Sequence, residues 1–565
     1  MQACRIPTLL FALILGSLPS ATQPHLHAEQ PSEFTVDLRK QIPVEAGSGR
    51  FHRVIESESW SSEKVAVIIC DVWDSHHCLN AVRRVTEVAP RIDAFAEQMR
   101  SMGATIVHAP SECMEAYADH PARHRARSVP QLAHAPVTIR DWCNSIESET
   151  GFPYPVDQSD GGEDDDLLEH EQWHAMLAAM GRKPKTPWLM QTPAIGIDSD
   201  RDYISDSGTE IWHILKHHGI EHVLVCGVHT NMCVLGRPFG LRQLREHGFH
   251  VVLVRDLTDT MYNPQRWPYV NHFTGTDLVV DHVERAVCQT MTSDQILGGK
   301  PFRFSKDRRP HWIIMISEDE YHTEKTLVEW ARIHLAKSCE VSFVFEDLSQ
   351  PGTFPGIEAL EQADALLVSV RRRPLRADAL HRIKAFVERG GPILGIRTAS
   401  HAFSLRENAP SPGLMQWPEF DADVLGGNYV GHHGNDEITL VTKSEDPMSS
   451  GFESLVPESQ NLLGEMYKSR GSLYRVRPLR PGTRVVWEGT IPNQPGQPVA
   501  WTFVRSDSGK TFYTSLGHES DFEQPMFRAL LLQAAHWLTD THLEVQWTTI
   551  DADRQAYLSG QGKQK

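Results

Sequence analysis

Cysteine is scarce and scattered. Nine occur in 565 residues, and no two form a C-x-x-C pair. That excludes a metal-binding knuckle of that type and a small disulfide-stapled module. Cys4 sits in the N-terminal leader. Of Cys70, Cys78, Cys113, Cys143, Cys226, Cys233, Cys288 and Cys339, several read as free buried thiols, with one or two disulfides left open. Positive charge is also in the minority, Lys+Arg 55 against Asp+Glu 73 for a net −18, which argues against nucleic acid or anionic lipid as a partner. Beyond the leader no apolar run is long enough to span a bilayer, so no membrane partner is expected. No internal repeat is found.

What is present is globular: 40% hydrophobic and 23% charged residues, in a chain long enough for two to four domains. The N-terminus carries Arg5, the apolar run Ile6–Leu18 and small residues at Ser20 and Ala21. This is the pattern of an export signal, cleaved after Ala21 or Ala28, and it predicts a secreted or periplasmic protein whose residues 1–28 are removed. Residues 546–565 are polar and read as a tail.

Strands and helices alternate twice along the chain. EKVAVIICD (63–71) is an apolar strand ending in Asp71. A helical period runs over Val85–Met102, and Ala104–His108 is the next strand. Ile195–Ile197 reads as a strand. Ser207–Glu210 starts a helix with a capping box, Thr209–His218 continues it, and Gly219 ends it. Val223–Cys226 and His250–Arg255 are further strands, and Asp281–Cys288 reads as a closing helix. Between them, Pro110–Lys185 is polar and irregular, and DQSDGGEDDD (157–166) within it suits either a calcium loop or a solvated acidic loop. Asp256–Asn271, with Asp259, Tyr262 and Asn263, reads as a polar loop over a pocket. SKDRRP (305–310) marks the boundary, giving domains over 29–308 and 309–545. In the second, Trp312–Ile316, Val341–Glu346, Ala365–Val370 and Pro392–Arg397 are strands, Glu324–Ala336, Asp378–Arg389 and Pro525–Leu538 are helices, and 410–515 is richer in β-type runs. The fold class expected is α/β: two three-layer α/β/α domains with mainly parallel sheets, the second with additional β-rich segments.

The chemistry centres on EHVLVCGVHTNMCVLGRPFGLRQL (221–244). A buried strand ends at Gly227, a polar turn follows, and Met232 and Cys233 open what reads as a helix. A thiol at a helix start meets unpaired N–H groups and the helix dipole, which favour an anion. Asp71 stands at the end of another strand, so one crevice can hold both groups.

With IICDVWD, GVHTNMCV and SGTEIWHILKHHGIEHVLVCGV in this order, residues 60–300 resemble the isochorismatase-like cysteine hydrolases, which include nicotinamidases and related amidases. The resemblance implies a three-layer α/β sandwich and an Asp-Lys-Cys triad. It makes Asp71 the general base, Cys233 the nucleophile, and the N–H groups of Met232 and Cys233 the oxyanion donors. The family's lysine is missing, because the stretch before Ser207 reads Asp198–Ser199–Asp200–Arg201–Asp202–Tyr203. Arg201, on that segment, and Arg237, one helical turn beyond Cys233, are the candidate replacement cations. His108, His76 and His77 lie near strand ends, but no metal ligand set is assigned to them and no cofactor is called for. ERGGPILGIRTASHAF, VLGGNYVGHHGNDEITLV and YTSLGHESDFEQPMFRALLLQAAHW make residues 310–540 resemble the ThuA-like proteins, relatives of the class I glutamine amidotransferase fold linked to sugar utilisation. Arg397 and Thr398 stand where an amidotransferase has its cysteine. His432, His433, Glu465 and His518 either line a polar pocket or are scattered over the surface.

The expected function is hydrolysis of a small amide or related C–N bond in a small-molecule substrate, in a monomer or a homo-oligomer. The rivals are a pseudoenzyme that binds small molecules or glycans, and a sugar-derivative activity in the second domain.

Overall fold

The computed structural model describes residues 33–434, 437–446, 448 and 467–541. The expected signal segment, Glu465 and the 546–565 tail lie outside the described residues. The described chain opens with an antiparallel hairpin of β1 (Glu33–Pro43) and β2 (Phe51–Ser61), which the sequence reading left unassigned. β3 (Val65–Cys70), β4 (Thr105–Ala109), β5 (Tyr203–Ile204), β6 (His222–Val228), β7 (His250–Asp259) and β8 (Gln289–Met291) follow. The sheet order is β2-β1-β8-β7-β6-β3-β4-β5. From β8 to β5 every pairing is parallel, and β1 joins β8 antiparallel.

The period-two rule of strands is visible in β3. Ala66, Ile68 and Cys70 pack on one face with Ile211, Ile214 and Leu215 of α4 (Gly208–His217). Val65, Val67 and Ile69 pack on the other with Val88, Ile92, Phe95 and Met99 of α1 (Leu79–Ser101). α1 runs through Pro90, which is exposed. A proline inside a helix costs about 3 kcal/mol. Burying four large apolar side chains, at about 1.5–3 kcal/mol each, outweighs that.

Several boundaries differ from the sequence reading. The strand expected at Ile195–Ile197 is instead Tyr203–Ile204, beyond a loop in which Asp198 accepts from the backbone N–H groups of Asp200 and Arg201. Pro110–Lys185 is not merely irregular, since it holds α2 (Pro121–Ser128) and α3 (Leu167–Ala179). No continuous helix starts at Met232. Thr230–Val234 is a π-helical turn, and α5 (Leu241–Glu246) begins only after Gly236 and Pro238. The closing segment is α6 (His272–His282) followed by a π-helical turn, Val283–Val287, and the short α7 (Asp294–Leu297).

The second half repeats the layering. Its strands are β9 (His311–Ser317), β10 (Glu340–Phe345), β11 (Ala365–Val370), β12 (Leu375–Arg376), β13 (Ile393–Ile396), β14 (Leu414–Met415), β15 (Gly431–His432), β16 (Thr439–Lys443), β17 (Tyr467–Ser469), β18 (Tyr474–Arg475), β19 (Arg484–Thr490), β20 (Gln497–Val504) and β21 (Lys510–Thr514). The nine-stranded sheet has the order β10-β9-β11-β13-β21-β20-β19-β16-β17. It is parallel from β10 to β21 and antiparallel from β21 to β17. The β-type runs after residue 410 therefore form an antiparallel half as large as the parallel one, so "mainly parallel" holds for the first sheet only. Helices α8 (Thr323–Ile333) and α10 (Pro525–Thr539) cover one face and α9 (Ala377–Glu388) the other.

The 305–310 segment is tightly held. Arg309 is buried and bonds Asp277 at 2.7 Å, Thr274 at 2.8 Å and both oxygens of Asp307. All eight cysteines in the described residues are free thiols. No helix among those residues is long and apolar enough to cross a membrane.

Candidate active site

Asp71 follows the last residue of β3, in a left-handed conformation (φ 50°) that turns the chain across the sheet edge. Its side chain is wholly buried. Oδ1 accepts from the Ser111 backbone N–H at 2.7 Å, and Oδ2 accepts from Arg237 Nε at 2.9 Å. Cys233 is buried in the same cluster, where the Asp71 carboxylate and the Arg237 guanidinium both act on its thiol electrostatically. Arg237 N donates to Cys233 O at 3.0 Å, so the broken helical turn still sets the two residues one turn apart. Asp71, Cys233 and Arg237 thus converge.

The electrostatics follow from burial. Desolvation pushes the Asp71 pKa up, and Arg237 and the Cys233 and Ser111 hydrogen bonds pull it back only partly. Desolvation, then the Asp71 charge, drive the Cys233 thiol well above its ordinary range, with Arg237 opposing. Burial and the Asp71 charge thus oppose ionisation of the thiol, against the helix-start effect and the arginine that favour it. A nucleophile here needs its proton removed during attack, and Asp71 is placed to take it.

Arg237 is held from outside. Its guanidinium carbon sits 5.5 Å from the centre of the Trp142 ring, and Glu112 Oε1 is 3.7 Å from its Nη2. Trp142 rests directly on the turn, because a Cβ at Gly236 would come within 2.5 Å of the indole. Cys143 N donates to Gly236 O at 2.8 Å. None of this was legible beforehand, since Trp142 lies in the polar stretch with no local pattern to single it out.

Arg201 does not join the site. Its side chain is 60% exposed and pairs with Asp198 at 2.8 Å. The Met232 N–H donates to His229 O at 3.0 Å, so it is spent on the turn and not on an oxyanion. His108 is buried with both nitrogens occupied, Nδ1 by Gln191 and Nε2 by Asp202, each at 3.0 Å. Asp202 also takes a bidentate contact from Arg100, and these partners draw its pKa down to about 2. His76 and His229 line a cavity beside Asp71 with Trp73 and Ser75, of about 10 Å³, room for one water-sized sphere. Their rings are 4.8 Å apart, and Trp73 stacks on Trp188 at 4.5 Å. Burial lowers the His229 pKa to about 3, and its Nε2 has no partner among the described residues. His77 turns away to Glu163.

The loop expected to cover the pocket is packed instead. Asp259 ends β7 and accepts from Arg84 and His272, Tyr262 is fully buried, and Asn263 donates to Asp160. The acidic run is likewise engaged by protein donors: Asp160 by Arg266, Asp164 by Arg84, Asp165 by the first amides of α1, and Asp166 by those of α3. Asp164 and Asp165 also stand with Cys78 in a cluster whose potential ligand atoms lie within 4.8 Å of one another.

In the second half, Arg397 occupies the turn after β13 in a left-handed conformation (φ 44°), buried between Tyr321 and Tyr474 at 4.1 and 4.8 Å. His432 bonds Tyr429 at 2.6 Å and is exposed. His518 lines a separate cavity of about 610 Å³ with Trp330, His334 and Arg528. His432 and His433 are not among the described residues lining it.

Residues 201–269 match the family model described as Isochorismatase domain, and residues 313–538 match the ThuA model, described as Trehalose utilisation. No curated protein matches the chain. Solved structures that it resembles include a ThuA-like protein from Bacteroides uniformis ATCC 8492, at 15% identity over 42% of this chain and 95% of that one, TM-score 0.31. A cysteine hydrolase from Pseudomonas syringae pv. phaseolicola 1448A is 13% identical over 42% and 92%, TM-score 0.25. An isochorismatase family protein from Desulfovibrio vulgaris subsp. vulgaris str. Hildenborough is 12% identical over 40% and 94%, TM-score 0.22.

Proposed function

We propose that, in this chain joining an isochorismatase-like segment to a ThuA-like one, the first is a cysteine hydrolase of small amides or related C–N bonds. The observation that carries the reading is the convergence of Asp71, Cys233 and Arg237, with Arg237 Nε 2.9 Å from Asp71 Oδ2. In the proposed reaction the Cys233 sulfur attacks the carbonyl carbon and its proton passes to Asp71. The C–N bond then breaks, the leaving amine takes that proton, and water hydrolyses the thioester. Arg237 takes the lysine's electrostatic part but not proton exchange, since a guanidinium stays charged. In this reading the oxyanion donor is the Cys233 N–H.

The test is intact-mass and peptide mapping after incubation with small activated acyl donors. The reading expects an acyl adduct on Cys233 that decays in water and is absent in Cys233→Ala. Adducts confined to Cys143 or Cys288, the more exposed thiols, would remove its basis.

A pseudoenzyme is the second reading, favoured by the small cavity and by the burial that opposes thiol ionisation. It predicts ligand binding at the Asp71 crevice without any adduct or turnover. Export is proposed on the N-terminal pattern alone, and the N-terminal sequence of the mature protein checks it.

A further inference from the structure

At the opposite end of the first sheet from Asp71, we infer that Glu58, His222 and His250 form a site for a zinc-type divalent cation. His222 and His250 are the first residues of β6 and β7 and are register partners across that parallel pair. Side chains so paired share a face, and here the two Nδ1 atoms stand 3.0 Å apart. β2 of the hairpin brings Glu58 over them, with Oε2 3.7 Å from His250 Nδ1. One donor atom from each residue lies within 4.8 Å of the other two. Ligands at about 2.0–2.1 Å from a tetrahedral ion stand about 3.3–3.4 Å apart, between the 3.0 and 3.7 Å separations seen here.

Each donor is also oriented from behind. Gln289 Nε2 donates to Glu56 at 3.1 Å, which fixes the amide so that its oxygen faces His250. That oxygen lies 2.9 Å from His250 Nε2 and can only accept. The ring proton therefore sits on Nε2, and the Nδ1 lone pair points into the cluster. Trp60 donates its Nε1 proton to Glu58 Oε2 at 2.8 Å and stacks on His222 at 4.2 Å. Lys64, the neighbouring cation, is paired with Glu221. Glu58 and His250 side chains are about one-third exposed, at 35% and 32%, leaving a way in for the ion and a fourth position for water. Two imidazoles and one carboxylate with an open position suit zinc and the metals that substitute for it. A bound ion would tie the β1–β2 hairpin to β6 and β7.

The rival arrangement is a plain N–H···N bond between the imidazoles with no ion. The experiment titrates the chelator-stripped full chain with Co²⁺ and then Zn²⁺. The expected result is one equivalent of Co²⁺ with visible ligand-field bands, no thiolate charge-transfer band, and displacement by Zn²⁺. His222→Asn/His250→Asn should lose the signal, and Glu58→Gln, at a part-exposed position that tolerates change, should weaken binding at least about tenfold. Gln289→Leu should weaken it about 10–100-fold. Cys78→Ser should leave it unchanged, separating it from the Cys78, Asp164 and Asp165 cluster. No binding, a signal that survives the double histidine substitution, or one abolished by Cys78→Ser would overturn the inference.

Discussion

Arg237 Nε lies 2.9 Å from Asp71 Oδ2, and both charges act on the buried Cys233 thiol. The cation beside the Asp71 carboxylate thus comes from the turn after the cysteine. The arrangement has opposite consequences for the thiol depending on which neighbour is removed.

Asp71→Asn should lower the Cys233 pKa by deleting the nearby negative charge, and Arg237→Gln should raise it by deleting the positive one. At a fixed mildly alkaline pH, alkylation of Cys233 by iodoacetamide should accelerate in the first and slow in the second. Rates read by peptide mapping check this, and shifts of the same sign in both variants would mean the charges do not flank the sulfur as described.

Gly236→Ala should destabilise the protein by about 1–3 kcal/mol, because the new methyl meets the Trp142 ring at 2.5 Å. Adding Trp142→Ala removes that clash and should recover part of the loss. Urea unfolding of the two single variants and the double variant gives the coupling, and strict additivity would contradict the contact.

Stability should fall on acidification in two stages. His229, buried and neutral, has its pKa lowered from 6.5 to about 3. The unfolded chain therefore binds the proton first, and the stability that is full above 6.5 is lost as pH falls toward 3. His76, also lowered, acts in the same direction. Asp202, lowered from 3.8 to about 2, adds a loss between those values, of about 2 kcal/mol. Unfolding midpoints from pH 7 to about 2 check the sequence. His229→Gln should flatten the upper stage, at most about 1.4 kcal/mol per pH unit for one group.

The boundary segment yields a sharper test than a simple cut. A fragment of residues 29–308 lacks Arg309, whereas 29–310 keeps it against Asp277 and Asp307. Losing one member of a buried ion pair costs about 3–5 kcal/mol. The longer fragment should unfold cooperatively and later in urea. Equal midpoints would show that Arg309 holds nothing.

What the sequence made legible were features with local signals. The apolar run 65–70 ending at Asp71, the Ser207 N-cap and the strand before Cys233 stand where periodicity and capping put them, whereas the Glu210 carboxylate goes to Arg123 and Ser205 and does not close the capping box. Arg237 was legible as a candidate because helical spacing survives even in a distorted turn. The misses are non-local. Arg201 sits on the right segment, yet a bond to Asp198 three residues away turns it outward. Trp142 reaches Arg237 across 95 positions, and no periodicity marks it. The Met232 amide looked free because a regular helix was expected, whereas the π-helical turn Thr230–Val234 lets it donate to His229 O.

The most direct measurement is hydrolysis of a panel of small amides, nicotinamide included, by wild type, Cys233→Ala, Arg237→Gln and Arg201→Gln. The expected result is loss of turnover in Cys233→Ala, a fall of about 10²–10³-fold in Arg237→Gln, and near wild-type rates in Arg201→Gln. Turnover that survives Arg237→Gln, or that falls instead with Arg201→Gln, would contradict the assignment of Arg237 as the working cation.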